Sequence, residues 1–199
     1  ANNPVTGSAT GLGPVQANAG TVLGGTGRIA PAAGNSIVLS GATLNPGLPG
    51  IGNNAGTLIL ETSGSGQLQM TGSSKMLLDL VLGAGMGSNI QDATAADLLV
   101  IRGILDLQEG SVLQVGNPNA LTAWAANDQW KLFDWSGLTA PVTGAFGSYD
   151  LPALPEGLVW NTDELFTTGI LSISLVPEPG RLGLLGLALA GLAGRRRRP

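Results

Sequence analysis

The sequence predicts an all-β fold: short strands stacked as a β-solenoid, a C-terminal β cap, and then a single short hydrophobic helix. Three observations lead there. Glycine supplies 32 of 199 residues, about twice the usual share of roughly 7%, which disfavours long helices over most of the chain. Hydrophobic residues reach 43% while charged residues stay at 11%, so a core can form and a disordered tail is excluded. A strand–glycine–strand pattern then recurs three times along the body.

Residues 1–34 are small and polar, with turn signals at Thr6-Gly7-Ser8 and Gly24-Gly25-Thr26-Gly27. The first copy of the repeat is Ile37–Leu44, the second Leu68–Met76 and the third Leu105–Leu113. Each runs apolar–x–apolar, then polar residues, a glycine, a small residue and another apolar position. Alternation with period two marks a strand with one buried face, and the glycine marks a tight turn. Further strands are expected at Thr57–Glu61, Met76–Leu82, Leu98–Ile101 and Ile170–Leu175. Ala93–Asp97 is the best helical stretch of the body, about one turn long. A β-sandwich built from the same strands is the competing architecture.

All eight aromatic residues lie after position 123. A narrow stacked interior suits Leu, Ile, Val and Ala, whereas its end needs a bulkier cover. The expected division is therefore solenoid rungs over 1–116, an aromatic-containing β cap over 117–175, and a separate tail over 176–199. The plain reading of the aromatics is the core of the cap. The sharper one makes Trp124, Trp130, Trp135 and Trp160 carbohydrate contacts that stack on sugar rings.

The chain contains no histidine and no cysteine. Thiol catalysis, the Ser-His-Asp triad and the common zinc sites are excluded with them. Residues 1–176 carry four basic and twelve acidic side chains, and an acidic body repels phosphate backbones, so no nucleic-acid partner is expected. Gly50–Ala55 fits a Gly-x-Gly-x-x-Ala pattern but precedes a strand instead of opening a helix. Gly24–Ile29 begins like a calcium-binding nonapeptide, yet Ile29 stands where a liganding aspartate is needed. Adjacent Asp163 and Glu164, placed on a strand, point to opposite faces and cannot share a substrate. Asp106 and Glu109 read as solvated charges beside a turn. Neither enzymatic activity nor a metal or cofactor is expected.

The end of the chain carries the most specific signal. Val176, Pro177, Glu178 and Pro179 precede an apolar run from Leu182 to Gly194, and Arg195, Arg196, Arg197 and Arg198 follow it. As a helix the run spans roughly 20 Å at 1.5 Å per residue, and flanking arginines that snorkel outward extend its reach. By the positive-inside rule the arginines stay cytoplasmic and the body lies across the membrane. This three-part tail resembles the PEP-CTERM sorting signal of exopolysaccharide-producing Gram-negative bacteria. The resemblance implies an exosortase partner, a membrane-embedded cysteine transpeptidase that cuts near the motif. It also implies a transient inner-membrane anchor through 182–194, followed by release to the cell surface or extracellular matrix.

The body has a looser resemblance. Ala19–Gly27, Gly41–Gly47 and Asp97–Gly103 look like autotransporter-associated β-strand repeats, which implies a right-handed parallel β-helix. About three rungs are visible. The combined expectation is an exported structural or adhesin-like surface protein of a biofilm-type matrix. The alternatives are a carbohydrate-binding surface module using the C-terminal aromatics, with exopolysaccharide as partner, and last a polysaccharide-modifying enzyme.

Overall fold

In the computed structural model, residues 8–47, 55–81 and 95–176 are described. They form sixteen strands and, among the described residues, no helix. The first ten are β1 (Val15–Asn18), β2 (Val22–Gly25), β3 (Gly27–Ile29), β4 (Ile37–Ser40), β5 (Thr43–Pro46), β6 (Thr57–Glu61), β7 (Gln67–Thr71), β8 (Lys75–Asp79), β9 (Leu98–Leu107) and β10 (Val112–Gly116). The rest are β11 (Gln129–Lys131), β12 (Phe133–Leu138), β13 (Thr143–Gly144), β14 (Ser148–Asp150), β15 (Leu158–Asn161) and β16 (Ile170–Leu175).

Every strand from β1 to β10 pairs in parallel with a strand two or three places away in chain order. β1, β4, β7 and the second half of β9 form one ladder; β3, β6 and the first half of β9 form another. A third ladder runs β2-β5-β8-β10-β14. Because β9 belongs to two ladders, the parallel sheet curls on itself at Gly103. That residue has φ +107°, and a Cβ there would meet the Thr62 carbonyl oxygen at 2.5 Å. Glycine turns the strand without ending it. An antiparallel sandwich does not describe these strands.

The repeat read from the sequence maps onto this register. Ile37 pairs with Leu68 and Leu68 with Leu105; Leu44 pairs with Met76 and Met76 with Leu113. All six are at most 1% exposed, so like positions stack on like in an aliphatic interior. Burying each such side chain contributes about 1.5–3 kcal/mol. At the glycine turns the buried Ser74 hydroxyl accepts from Gly41 N (2.9 Å) and faces the carbonyls of Thr71 (2.6 Å) and Leu39 (3.0 Å). One side chain thereby satisfies backbone groups that a turn would otherwise bury unpaired.

After β10 the pairing changes. β11, β16 and β15 form an antiparallel sheet in that order, while β12, β13 and β14 continue the parallel ladders. Trp130, Phe133, Leu165, Leu171 and Ile173 join the aliphatic interior in a single apolar core.

Three expectations need correcting. Leu98–Ile101 is the start of a ten-residue strand. Met76–Leu82 is shifted to Lys75–Asp79, with Leu80 in an isolated antiparallel bridge to Ala96. That bridge also removes the helical turn expected at Ala93–Asp97, in so far as its residues are described. The hydrophobic helix expected over 182–194 and most of Gly50–Ala55 lie outside the described residues.

Candidate functional site

The body ends in β16, which is held on both sides. Its register places Trp130 opposite Leu171 on β11 and Leu175 opposite Leu158 on β15. Beyond the strand, Val176 N still donates to Gly157 O (3.0 Å). The next residue is Pro177, which has no N–H and cannot prolong a ladder. Leu175 and Val176 are 67% and 47% exposed, so the junction between body and tail stands in solvent. Of the sorting residues singled out from the sequence, Val176 is described. Pro177, Glu178, Pro179, Leu182, Gly194 and Arg195–Arg198 lie outside the described residues.

The tail was legible without coordinates, and comparison decides its class. Residues 175–198 match the family described as PEP-CTERM protein-sorting motif. This tail carries the sorting motif. The motif indicates exosortase-dependent sorting of a protein exported to the cell envelope or surface, and membrane association. No curated protein and no solved structure matches the chain. Among the described residues no helix is long and apolar enough to cross a membrane.

The four tryptophans fall into two groups. Trp124, Trp130 and Trp160 pack on one another with centroids 5.6–5.8 Å apart and interplanar angles of 54–75°, the edge-to-face arrangement that aromatic quadrupoles favour. Trp130 is 1% exposed and offers no face to a sugar, which corrects its reading as a carbohydrate contact: its flat surface is spent on the core. Trp124 and Trp160 are partly buried against that core, and Trp160 Nε1 donates to Pro152 O (2.7 Å). Trp135 stands apart. It stacks on Phe133 at 4.5 Å and 11°, its Nε1 donates to Leu165 O (2.7 Å), and it remains partly exposed.

Trp135 also lines a groove of about 390 Å³ together with Lys131, Asp134, Ser136, Thr167 and Thr168. The Ser136 backbone N–H donates to Asp134 Oδ1 (3.0 Å) and holds that carboxyl below its ordinary pKa, with the Lys131 and Arg102 charges adding to the effect. An ionised carboxylate, an ammonium, three hydroxyls and an indole thus share one concave surface. Sequence reasoning found Trp135 but not Thr167 and Thr168, which lie beyond β13, β14 and β15 along the chain.

Of the carboxylates tested for catalysis, Glu109 is exposed at a turn as expected, while Asp163 and Glu164 sit differently from expectation. Asp163 and Glu164 occupy a turn, not a strand; Asp163 N donates to Asn161 Oδ1 and Glu164 O accepts from the amides of Thr167, Thr168 and Gly169. Asp106 accepts from Gln69 Nε2 (3.0 Å). Ile29, the residue in place of a calcium ligand, is 3% exposed and belongs to the core.

Two charged features were missed. Glu61 joins Arg28 (2.8 Å) to Arg102 (3.3 Å) across β3, β6 and β9. The hydrogen bond from Arg28 is the main reason its carboxyl lies below the ordinary value. Asp97 is 1% exposed and accepts from Gly56 N (2.8 Å) and Asp79 N (3.0 Å). Burial nevertheless outweighs these bonds and pushes its carboxyl up to about 7. Its position between Ala95-Ala96 and Leu98-Leu99 was the available signal, because a lone carboxylate inside an apolar run has to find partners.

Proposed function

We propose that this chain is a structural or adhesin-like protein of the cell surface or extracellular matrix, sorted and processed through its tail by an exosortase. Its body, on this reading, is a short right-handed parallel β-helix of the autotransporter-associated kind over 1–116, closed by a β cap over 117–175. The observation that carries the reading is the PEP-CTERM match at residues 175–198, beginning where β16 ends. In-register stacking of the three repeat copies supports the β-helix. The absence of histidine and cysteine from the chain supports a non-enzymatic role.

The test is mass spectrometry of the mature C-terminus in the native host, with and without its exosortase. The reading expects a new C-terminus within or close to Val176–Pro179 that is lost with the enzyme. An intact Pro199 in the enzyme-bearing host overturns it.

A second reading, a carbohydrate-binding surface module with exopolysaccharide as ligand, is favoured by the groove at Trp135. Its mixed donors and acceptors beside an indole suit a polyol. A glycan array with the body and its Trp135→Ala variant separates the two: binding lost on substitution supports the module, and no binding by either leaves the structural role.

A further inference from the structure

The two chain segments that line the groove at Trp135 are fastened together. Gly169 O accepts from Leu132 N (2.9 Å) and from Phe133 N (3.1 Å), which ties the turn bearing Thr167 and Thr168 to the junction of β11 and β12. The polar groups of the groove are thus held in place before any ligand arrives.

Most of their protons are already committed to the protein. Thr167 Oγ1 donates to Glu164 O (3.2 Å), and Thr168 Oγ1 donates towards Glu164 O (3.1 Å) and Oε2 (3.3 Å). The Ser136 hydroxyl bonds the Asp134 carboxyl, and Trp135 Nε1 donates to Leu165 O (2.7 Å). A hydroxyl has one proton and two lone pairs, so each of these keeps only lone pairs for a ligand. The Asp134 carboxylate can only accept, and the Ser136 amide and hydroxyl leave part of its roughly four acceptor positions open. Among the described lining side chains, Lys131 alone keeps protons to give. Trp135 packs on Phe133 and runs nearly parallel to Phe166 (6.3 Å, 13°), so much of its ring is spent on the protein and recognition falls to the polar groups.

Such a set of acceptors selects for donors. A neutral pyranose brings several hydroxyl protons to it. A uronate brings acceptor oxygens and a negative charge against Asp134 and the neighbouring Glu164, and Lys131 can answer only one of those two acids. We infer that the groove selects uncharged, hydroxyl-rich sugars over acidic ones, with Asp134 as the specificity-determining acceptor. This rests on the carbohydrate-binding reading.

The test is affinity electrophoresis of the full chain in a polyoxyethylene detergent, which carries no sugar. The gels contain a neutral glucan, mannan or galactan, or else polygalacturonate or polymannuronate. At least one neutral polymer should retard the chain with a Kd about tenfold below that for either uronan. Asp134→Asn should narrow this ratio to within about threefold. Glu156→Gln makes the same charge change at an exposed residue outside the lining and should leave the ratio as it is. Thr168→Val removes lone pairs without touching charge and should weaken neutral binding about fivefold, with circular dichroism confirming the fold of each variant. Retention by a uronan as strong as by the neutral polymers overturns the selectivity and leaves the carbohydrate reading standing. So does a ratio that folded Asp134→Asn fails to narrow, or that Glu156→Gln narrows equally, or neutral binding that Thr168→Val leaves unchanged. No retardation by any polymer overturns both.

Discussion

The amide of Val176 donates to the carbonyl of Gly157 across 3.0 Å, and Pro177 follows at once. This bond closes the antiparallel sheet on the side from which the tail departs. Removing residues 177–199 therefore takes away no strand and no described core side chain. The truncated body should melt within about 2 °C of the full chain, since a change of that size corresponds to under about 1 kcal/mol in a domain of this length. A cut before Ile170 removes Leu171 and Ile173 from the core and should unfold the C-terminal sheet. Differential scanning calorimetry of both truncations checks the contrast.

Gly103 and Thr62 meet where the sheet curls, and two opposite outcomes are expected there. Gly103→Ala forces a side chain into φ +107° and against the Thr62 backbone. It should cost about 2–4 kcal/mol, combining backbone strain with overpacking. Thr62 is 4% exposed and its Oγ1 has no hydrogen-bond partner among the described residues. Thr62→Val keeps the shape and removes a buried hydroxyl, so it should be neutral or stabilise by up to about 1 kcal/mol. Urea unfolding of the two variants gives the signs directly.

Asp97 sets a pH dependence whose direction is opposite to that of Glu61. The folded carboxyl of Asp97 lies at about 7, against an ordinary value of 3.8. Between those values the folded state holds a proton that the unfolded state has released. Stability from this group is therefore full below about pH 4, falls as pH rises towards 7, and is level above it. Asp79, also raised by burial, acts with the same sign. Glu61 is lowered from 4.5, so its contribution is present above that pH and fades on acidification below it. Asp97→Asn should lose one of two backbone hydrogen bonds, costing about 1 kcal/mol, and should flatten the decline between pH 5 and 7. Denaturation midpoints of parent and variant across pH 4–8 test this. A parent that gains stability from pH 5 to 7 contradicts it.

Much of the body was readable because period-two alternation and parallel stacking leave the same trace. Ile37, Leu68 and Leu105 look alike in sequence because they occupy one column of the interior. Thr57–Glu61 coincides with β6 for the same reason, and Ile170–Leu175 coincides with the antiparallel β16 through its period-two alternation alone. Gly103 was harder, because a glycine inside an apolar run looks like an end and here makes a corner. Ala93–Asp97 misled because a single helical turn has little stability of its own, and the Asp97 carboxylate serves the backbone amides of Gly56 and Asp79 instead. The candidate site was legible only at its tail, where order and position along the chain suffice. The Arg28–Glu61–Arg102 contacts span separations of 33 and 41 residues that no local pattern reveals. Clustering of the aromatics was plain, but linear spacing does not say that Trp130 turns inward while Trp135 stays at the surface.

The tryptophans give a further test. Trp130→Ala empties a fully buried site and should cost about 3–5 kcal/mol. Trp135→Ala removes a ring stacked on Phe133 but already partly exposed, and should cost less, near 1–2 kcal/mol. Chemical denaturation with fluorescence and circular dichroism read together distinguishes them, and an equal loss at both positions contradicts the assignment of Trp130 to the core.

The arginine cluster is expected to act on membrane topology and not on the fold. Arg195–Arg198 lie beyond the apolar run, on the side that the positive-inside rule keeps in the cytoplasm. Replacing all four with asparagine lowers the cost of pulling the tail across the bilayer, because asparagine carries no charge to desolvate. The body holds no other run of comparable length and apolarity, and its described strands bury most of their hydrophobic residues in their own core. In an exosortase-free host, with each form fused behind a secretory signal, the full chain should sediment with membranes. The chain lacking 177–199 should appear in the soluble fraction, and the asparagine variant should divide between the two. Circular dichroism of the three forms should agree in the β region, since no described strand is altered. A truncated body that still sediments with membranes requires a second anchor in the body, and a full chain that remains soluble means that Leu182–Gly194 does not retain the protein.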